Sequence, residues 1–167
     1  MNTLELGLQL SLRIKTSRRT VSGDRSRVRD REDLMHTAPD GTIVQRDAPR
    51  TDLLAFEVKD KITQPDMEWM SSIADTAMKT HEKIDMLIIM SNYEGADADA
   101  KHDEYSNDVK SRSVEHIRKY VVVGAPLFAR AMIAFNGLIK PVETKTFSLS
   151  EEADAWAYLT DAGPATI

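Results

Sequence analysis

The sequence contains no cysteine among its 167 residues, which excludes a disulfide framework, a zinc–thiolate site and a cysteine nucleophile. Its seven glycines are scattered, so neither the dinucleotide-binding spacing nor the phosphate-loop spacing occurs, and no cofactor is expected. Long apolar runs are missing too: no stretch approaches the roughly 18 consecutive apolar residues of a membrane-spanning helix. We therefore expect a cytoplasmic protein without a disulfide, a zinc–thiolate site, a nucleotide-binding loop or a membrane-spanning helix.

Basic charge is scarce in most of the chain. Residues 1–50 carry ten Lys and Arg against seven Asp and Glu, whereas residues 51–167 carry twelve against twenty. Nucleic-acid binding normally needs a basic face that neutralises phosphates. The acidic balance after residue 50 therefore argues against a nucleic-acid partner.

The first 40 residues differ from the rest. Residues 4–14 are apolar at every second position, the period of a strand with one buried face. Residues 15–33 are a mixed-charge run with little to bury, as in a disordered segment. We expect residues 1–40 to form a poorly ordered extension, whose strand could pair with a sheet edge of its own chain or of a second copy in a homodimer. The alternative is that translation starts at Met35 and residues 1–34 are not native protein.

Regular structure is predicted from residue 42 onwards. Residues 42–46 and 53–58 are β-prone runs separated by a turn and predict an antiparallel hairpin. Residues 63–80 predict a helix capped by Thr63, with a methionine-rich stripe that indicates core packing. Trp69 lies off that stripe, so it either marks an interface or fills a gap beneath the hairpin.

The remaining elements alternate. Continuous apolar runs predict buried strands at residues 84–90 and 120–123, and a third strand is predicted at residues 144–149. Helices are predicted from about 97 to 113, from Pro126 over a broad apolar arc, and from a Ser150 cap to residue 160. The order β-β-α-β-α-β-α-β-α predicts an α/β fold, a mixed sheet with an N-terminal hairpin and helices packed on it. The domain should cover residues 41–161, with 162–167 as a tail.

An ordered set of short motifs within residues 42–160 resembles the SpoIIAA-like branch of the STAS superfamily (sulfate transporter and anti-sigma-factor antagonist domains). The matching residues are Asn92-Tyr93-Glu94-Gly95, Lys119-Tyr120-Val121-Val122-Val123-Gly124-Ala125-Pro126, Arg130, Ile133, Phe135, Leu138, Phe147, Glu152 and Ala155-Trp156-Ala157-Tyr158-Leu159.

The resemblance implies a small non-enzymatic module that binds an apolar or amphipathic ligand, in a group that also resembles lipid-carrying folds and is associated with membrane surfaces. The alternative is a regulatory partner-switch protein that docks to a protein regulator. In anti-sigma-factor antagonists a serine at the start of the helix after the third strand is the phosphorylated switch. Residues 96–101 read Ala-Asp-Ala-Asp-Ala-Lys, so that serine is absent here.

The residues also predict a binding site. Loops that follow parallel strands converge at one edge of the sheet, and free N–H groups at a helix start receive anions. The candidate ligand-binding residues are Asn92, Tyr93, Glu94, Gly95, Gly124, Ala125, Pro126 and Arg130. Because the helix at 97–113 has few apolar residues, we expect it to be held loosely and to uncover an apolar pocket beside Met90, Tyr105, Phe128 and Met132.

Two other constellations are weaker. Asp99, His102 and Asp103 have the spacing of one helical face and could ligate a metal. Acidic residues near a helix start are more often explained by the helix dipole, so no metal is predicted. The sequence has no Gly-x-Ser-x-Gly elbow for a serine hydrolase. No catalytic residue is assigned.

Overall fold

The computed structural model describes residues 36–126 and 142–161. The strands are β1 (Ile43–Arg46), β2 (Leu53–Val58), β3 (Ile84–Met90), β4 (Ile117–Val123) and β5 (Glu143–Phe147). The helices are α1 (Gln64–Thr80), α2 (Ala98–His102), α3 (Glu104–His116) and α4 (Glu152–Thr160), the last preceded by a 3-10 turn (Leu149–Glu151).

The five strands form one mixed sheet in the order β1-β2-β3-β4-β5. The β1–β2 hairpin is antiparallel, and each later pair is parallel. This confirms the predicted fold class and the predicted hairpin. Residues before Gly41 already pair with β1, since the Ala38 N–H donates to the Ile43 carbonyl at 2.8 Å.

The sheet has an apolar cluster on each face. On one face, side chains of α1, α2 and α3 cover residues such as Phe56, Ile88 and Val122. On the other face, Ala155 and Leu159 of α4 cover residues that include Leu87 and Val121. Strands that are buried on both faces read as continuous apolar runs, which is why β3 was predictable from its sequence.

Helix α1 begins as predicted. The Thr63 hydroxyl accepts a hydrogen bond from the Asp66 N–H, and Pro65 lies in the first turn, where its missing N–H is not needed. Trp69 packs against the first core cluster, with its ring edge-on to Phe56 at 6.1 Å between centroids. Trp69 therefore fills space beneath the sheet.

The Asp66 side chain connects α1 to the segment before β1. Its carboxylate is fully buried and accepts hydrogen bonds from the Asp40 N–H (2.7 Å), the Thr42 N–H (2.7 Å) and the Thr42 hydroxyl (2.6 Å). A buried carboxylate is tolerated when several donors satisfy it, and the first turn of a helix adds favourable dipole charge. Asp66 thus holds the residues just before β1 against the start of α1.

The prediction of a single helix at 97–113 is wrong. The chain forms α2 and α3, because Asp103 has an extended backbone and its carboxylate accepts the Ser106 N–H at 2.7 Å. A side chain that caps a new helix in this way ends the preceding one. Asp99, His102 and Asp103 are therefore not on one continuous helix.

Other boundaries also differ. Strand β5 ends at Phe147 instead of residue 149, since Leu149 begins the 3-10 turn, and α3 continues to His116 instead of residue 113. Strand β4 begins at Ile117 instead of residue 120, because Arg118 and the Lys119 N–H both bond to the buried Asp85 carboxylate of β3. The last helical segment is capped by Ser148 and not by Ser150: the Ser148 N–H and hydroxyl both donate to Glu151. The helix predicted from Pro126, the strand at 4–14 and the tail from 162 lie outside the described residues.

Candidate functional site

The predicted site lies where β3 and β4 end side by side. Ile89 pairs with Val123 in the parallel register, so the loops that start at Ser91 and Gly124 leave the same edge of the sheet. The structure thus confirms that the two predicted loops begin at neighbouring strand ends. Arg130 lies outside the described residues.

Gly124 is sterically required at this edge. Its φ is +75°, and a Cβ there would lie 2.7 Å from both the Leu149 Cδ2 atom and the Met90 carbonyl oxygen. Its N–H donates to the Phe147 carbonyl at 2.9 Å. The Gly124 N–H is therefore not open to an anion.

The turn that contains Asn92 is also tied into the fold. The Asn92 side-chain amide donates to the Lys59 carbonyl at 3.2 Å, and the Gly95 carbonyl accepts the Ile62 N–H at 2.9 Å. Tyr93 packs against the first core cluster, and Glu94 is exposed. These contacts give Asn92, Tyr93 and Gly95 structural roles at the sheet edge.

The acidic segment after this turn is engaged in contacts within the fold. Asp97 pairs with Lys61 at 2.5 Å, and Asp103 caps α3. Within residues 36–126 and 142–161, no group of three His, Asp or Glu side chains has a geometry that could hold a metal ion.

A cavity of about 480 Å³ lies between α1, α3 and the sheet. Its described lining consists of Met67, Met70, Ser71, Ala74, Met86, Val109, Lys110, Ser113, Val114, Ile117, Tyr120, Val142 and Thr144. Small-molecule sites typically have volumes of about 300–1,000 Å³ and mainly apolar walls. The flexible thioethers of three methionines let such a wall adapt to different apolar shapes.

The polar groups of this cavity differ in depth. Tyr120 reaches it from β4, where burial raises the pKa of the phenol. The Ser113 hydroxyl is already used, since it donates to the Lys110 carbonyl at 2.7 Å. Lys110 is exposed to solvent, so its ammonium marks the outer rim.

An ion-pair network outside the described lining joins α1 to α3. The Arg112 guanidinium donates to Asp75 of α1 at 2.8 Å and to Asp108 of its own helix at 2.9 Å. Hydrogen bonds from Lys79 and Arg112 hold the pKa of the Asp75 carboxyl below its usual range. The charge of Arg112 is thus compensated by two carboxylates.

The cavity is not where the sequence predicted a pocket. Tyr105 is 42% exposed and Met90 packs against the first core cluster; neither belongs to the described lining. Phe128 and Met132 lie outside the described residues. The useful sequence signals were the methionine stripe of α1, interpreted as core, and the weak apolar content of α3.

A charge network lies at the other end of the parallel strands, around Asp85 near the start of β3. Burial alone would raise the pKa of Asp85, but hydrogen bonds from Arg118 and Arg50 outweigh it, so this pKa is lowered. Arg50 also donates to the Leu159 carbonyl at 3.0 Å, which links the hairpin loop to α4. Every charge in this network has a partner, so we assign it a structural role.

Comparison with known proteins agrees with this architecture. The family model described as SpoIIAA-like matches residues 53–160. A solved structure of an uncharacterized protein from the DUF3478 family, with a SpoIIAA-like fold, from Shewanella loihica PV-4 has a TM-score of 0.57 and 20% sequence identity. The alignment covers 70% of this chain and 93% of that one. No curated protein matches the sequence. In the described part of the chain, none of the helices has the length and hydropathy needed to cross a bilayer.

Proposed function

The chain belongs to the SpoIIAA-like family, and we propose that it is a non-enzymatic module that holds an apolar or amphipathic small molecule between α1 and α3. The observation that carries this proposal is the cavity of about 480 Å³ with its methionine-rich wall. Burying apolar ligand surface against such a wall is favourable at about 25 cal/mol per Å².

The organisation of the two helices supports this role. Helix α3 contacts the interior through few large apolar side chains, since its buried residues are Ser106, Val109 and Ser113. Small and polar side chains at a helix interface leave space that larger ones would fill. The ligand would occupy volume that a longer apolar residue occupies in an ordinary core.

The second candidate is the partner-switch function. It is favoured by Leu149, a large apolar side chain that is 48% exposed beside the strand ends. A switch that works by phosphorylation is disfavoured, because α2 begins at Ala98 after Asp97 and has no hydroxyl group at its start. A switch here would therefore lack the phosphorylated serine that anti-sigma-factor antagonists carry at this position.

Native mass spectrometry tests the proposal directly. The protein would be purified gently from its own host, together with a Val114→Trp variant that places a large ring at the half-buried wall of the cavity. We expect the original chain to carry an added mass that organic solvent removes, and the variant to lack it while keeping its circular dichroism. Bare chains in both samples would contradict the proposal and favour the docking function.

A further inference from the structure

The described cavity lining contains one charged side chain, Lys110, among twelve uncharged ones. An exposed lysine at the edge of an apolar wall can keep its ammonium in water while its stem follows the wall. Its place on α3, one turn before Val114, puts that charge at the water-facing side of the lining.

The Lys110 ammonium is not neutralised by the described part of the chain. No carboxylate of residues 36–126 or 142–161 forms an ion pair with it. Its neighbour Arg112 differs, because Asp75 and Asp108 both bind that guanidinium. Among the described residues, the lining thus presents one cation without an ion-pair partner, and we take it as the candidate ligand contact.

We propose that the cavity selects a monocarboxylate with an apolar chain, an inference that rests on the proposed function. The carboxylate would accept a hydrogen bond from the Lys110 ammonium at the rim, and the chain would lie along Met67, Met70 and Met86. An amphiphile with a cationic head would be repelled by Lys110.

The charge balance favours a carboxylate over a phosphate. A phosphate monoester carries nearly two negative charges at neutral pH, whereas the described lining offers a single uncompensated cation, Lys110. One ammonium matches the single charge of a carboxylate better than the double charge of a phosphate.

A displacement experiment separates this inference from the proposed function. Neutral N-phenyl-1-naphthylamine reports apolar sites by its fluorescence, and dodecanoate, dodecanol and dodecyl phosphate then compete for them. The chains are the original protein, Lys110→Gln, Val114→Trp and the matched control Lys101→Gln, which removes an exposed lysine outside the described lining.

We expect dodecanoate to displace the dye at about 1.5- to fivefold lower concentration than dodecanol, the range for a rim-exposed ion pair. Lys110→Gln should abolish that advantage and Lys101→Gln should keep it. Three results would overturn the carboxylate inference: equal potency of the carboxylate and the alcohol, tighter binding of the phosphate, or no effect of Lys110→Gln. In each case, dye binding that Val114→Trp weakens would still support an apolar ligand site in the cavity. Absence of dye binding, or dye binding unchanged by Val114→Trp, would overturn the proposed function as well.

Discussion

Arg112 of α3 donates a 2.8 Å hydrogen bond to Asp75 of α1, and this contact joins the two helices that enclose the cavity. Asp75 is mostly buried, whereas Arg112 is about half exposed. Because α3 has few buried apolar side chains, this ion pair is a larger share of the contact between the helices than it would be in a well-packed interface.

The Asp75 carboxylate, which accepts hydrogen bonds from Lys79 and Arg112, predicts a pH-dependent contribution to stability. The pKa of Asp75 is lowered in the folded protein, so its contribution is present above the ordinary aspartate pKa of about 3.9 and is lost as pH falls through the folded-state pKa. We expect Asp75→Asn to lower the free energy of unfolding at pH 6, measured by urea denaturation, and the difference to shrink below about pH 4.

Asp108→Asn is the matched control, because Asp108 binds the same guanidinium but lies on α3 itself. Its effect should be smaller than that of Asp75→Asn, since exposed pairs within one helix contribute little. A difference between the Asp75→Asn variant and the original protein that stays constant from pH 6 to pH 3 would contradict this account.

Gly124 predicts a steric effect that can be isolated by comparison with Gly41. Both have positive φ, but a Cβ at Gly41 has no atom within 4 Å, whereas one at Gly124 would lie 2.7 Å from Met90 and Leu149. Gly41→Ala should cost about 1–2 kcal/mol from backbone strain alone. Gly124→Ala should cost about 1–3 kcal/mol more, as expected of overpacking. Equal costs in thermal or urea unfolding would show that the strand ends are not packed as described.

The Asp66 carboxylate predicts a large effect from a nearly isosteric change. Asp66→Asn replaces one acceptor oxygen by an NH₂ group that faces N–H donors, so we expect a loss of about 2–4 kcal/mol in the free energy of unfolding. Thr42→Val removes a single hydroxyl donor and should cost about 1 kcal/mol. The two variants losing equal stability would mean that the backbone donors of Asp40 and Thr42 do not depend on Asp66.

Local patterns were sufficient for some elements and insufficient for others. The whole of α1, with its Thr63 cap, follows from helical periodicity and capping chemistry within 18 residues of sequence. The first residues of β4 were not predicted as strand, because Arg118 and Lys119 resemble surface residues. Their hydrogen-bond partner, Asp85, is more than 30 positions away in the sequence. Asp103 was missed as a helix boundary because the surrounding segment is polar on all sides and has no period to interrupt.

The site was harder to predict than the fold. The loops of the predicted site were correctly placed at one sheet edge, because parallel strands always end there together. The cavity depends on the space between α1 and α3, and small side chains on both helices, such as Ala74 and Ser113, line it. Sequence patterns give the apolar face of each helix, but not the volume left between two faces.

Methionine-methyl NMR tests the central claim most directly, because methionines mark both candidate regions. Met67, Met70 and Met86 line the cavity, while Met90 ends β3 beside Gly124. On titration with N-phenyl-1-naphthylamine we predict saturable shifts, from the ring current of the dye, at the first three methyl groups and little change at Met90. Shifts confined to Met90, or no saturable shift at any of the four, would contradict a ligand site between α1 and α3.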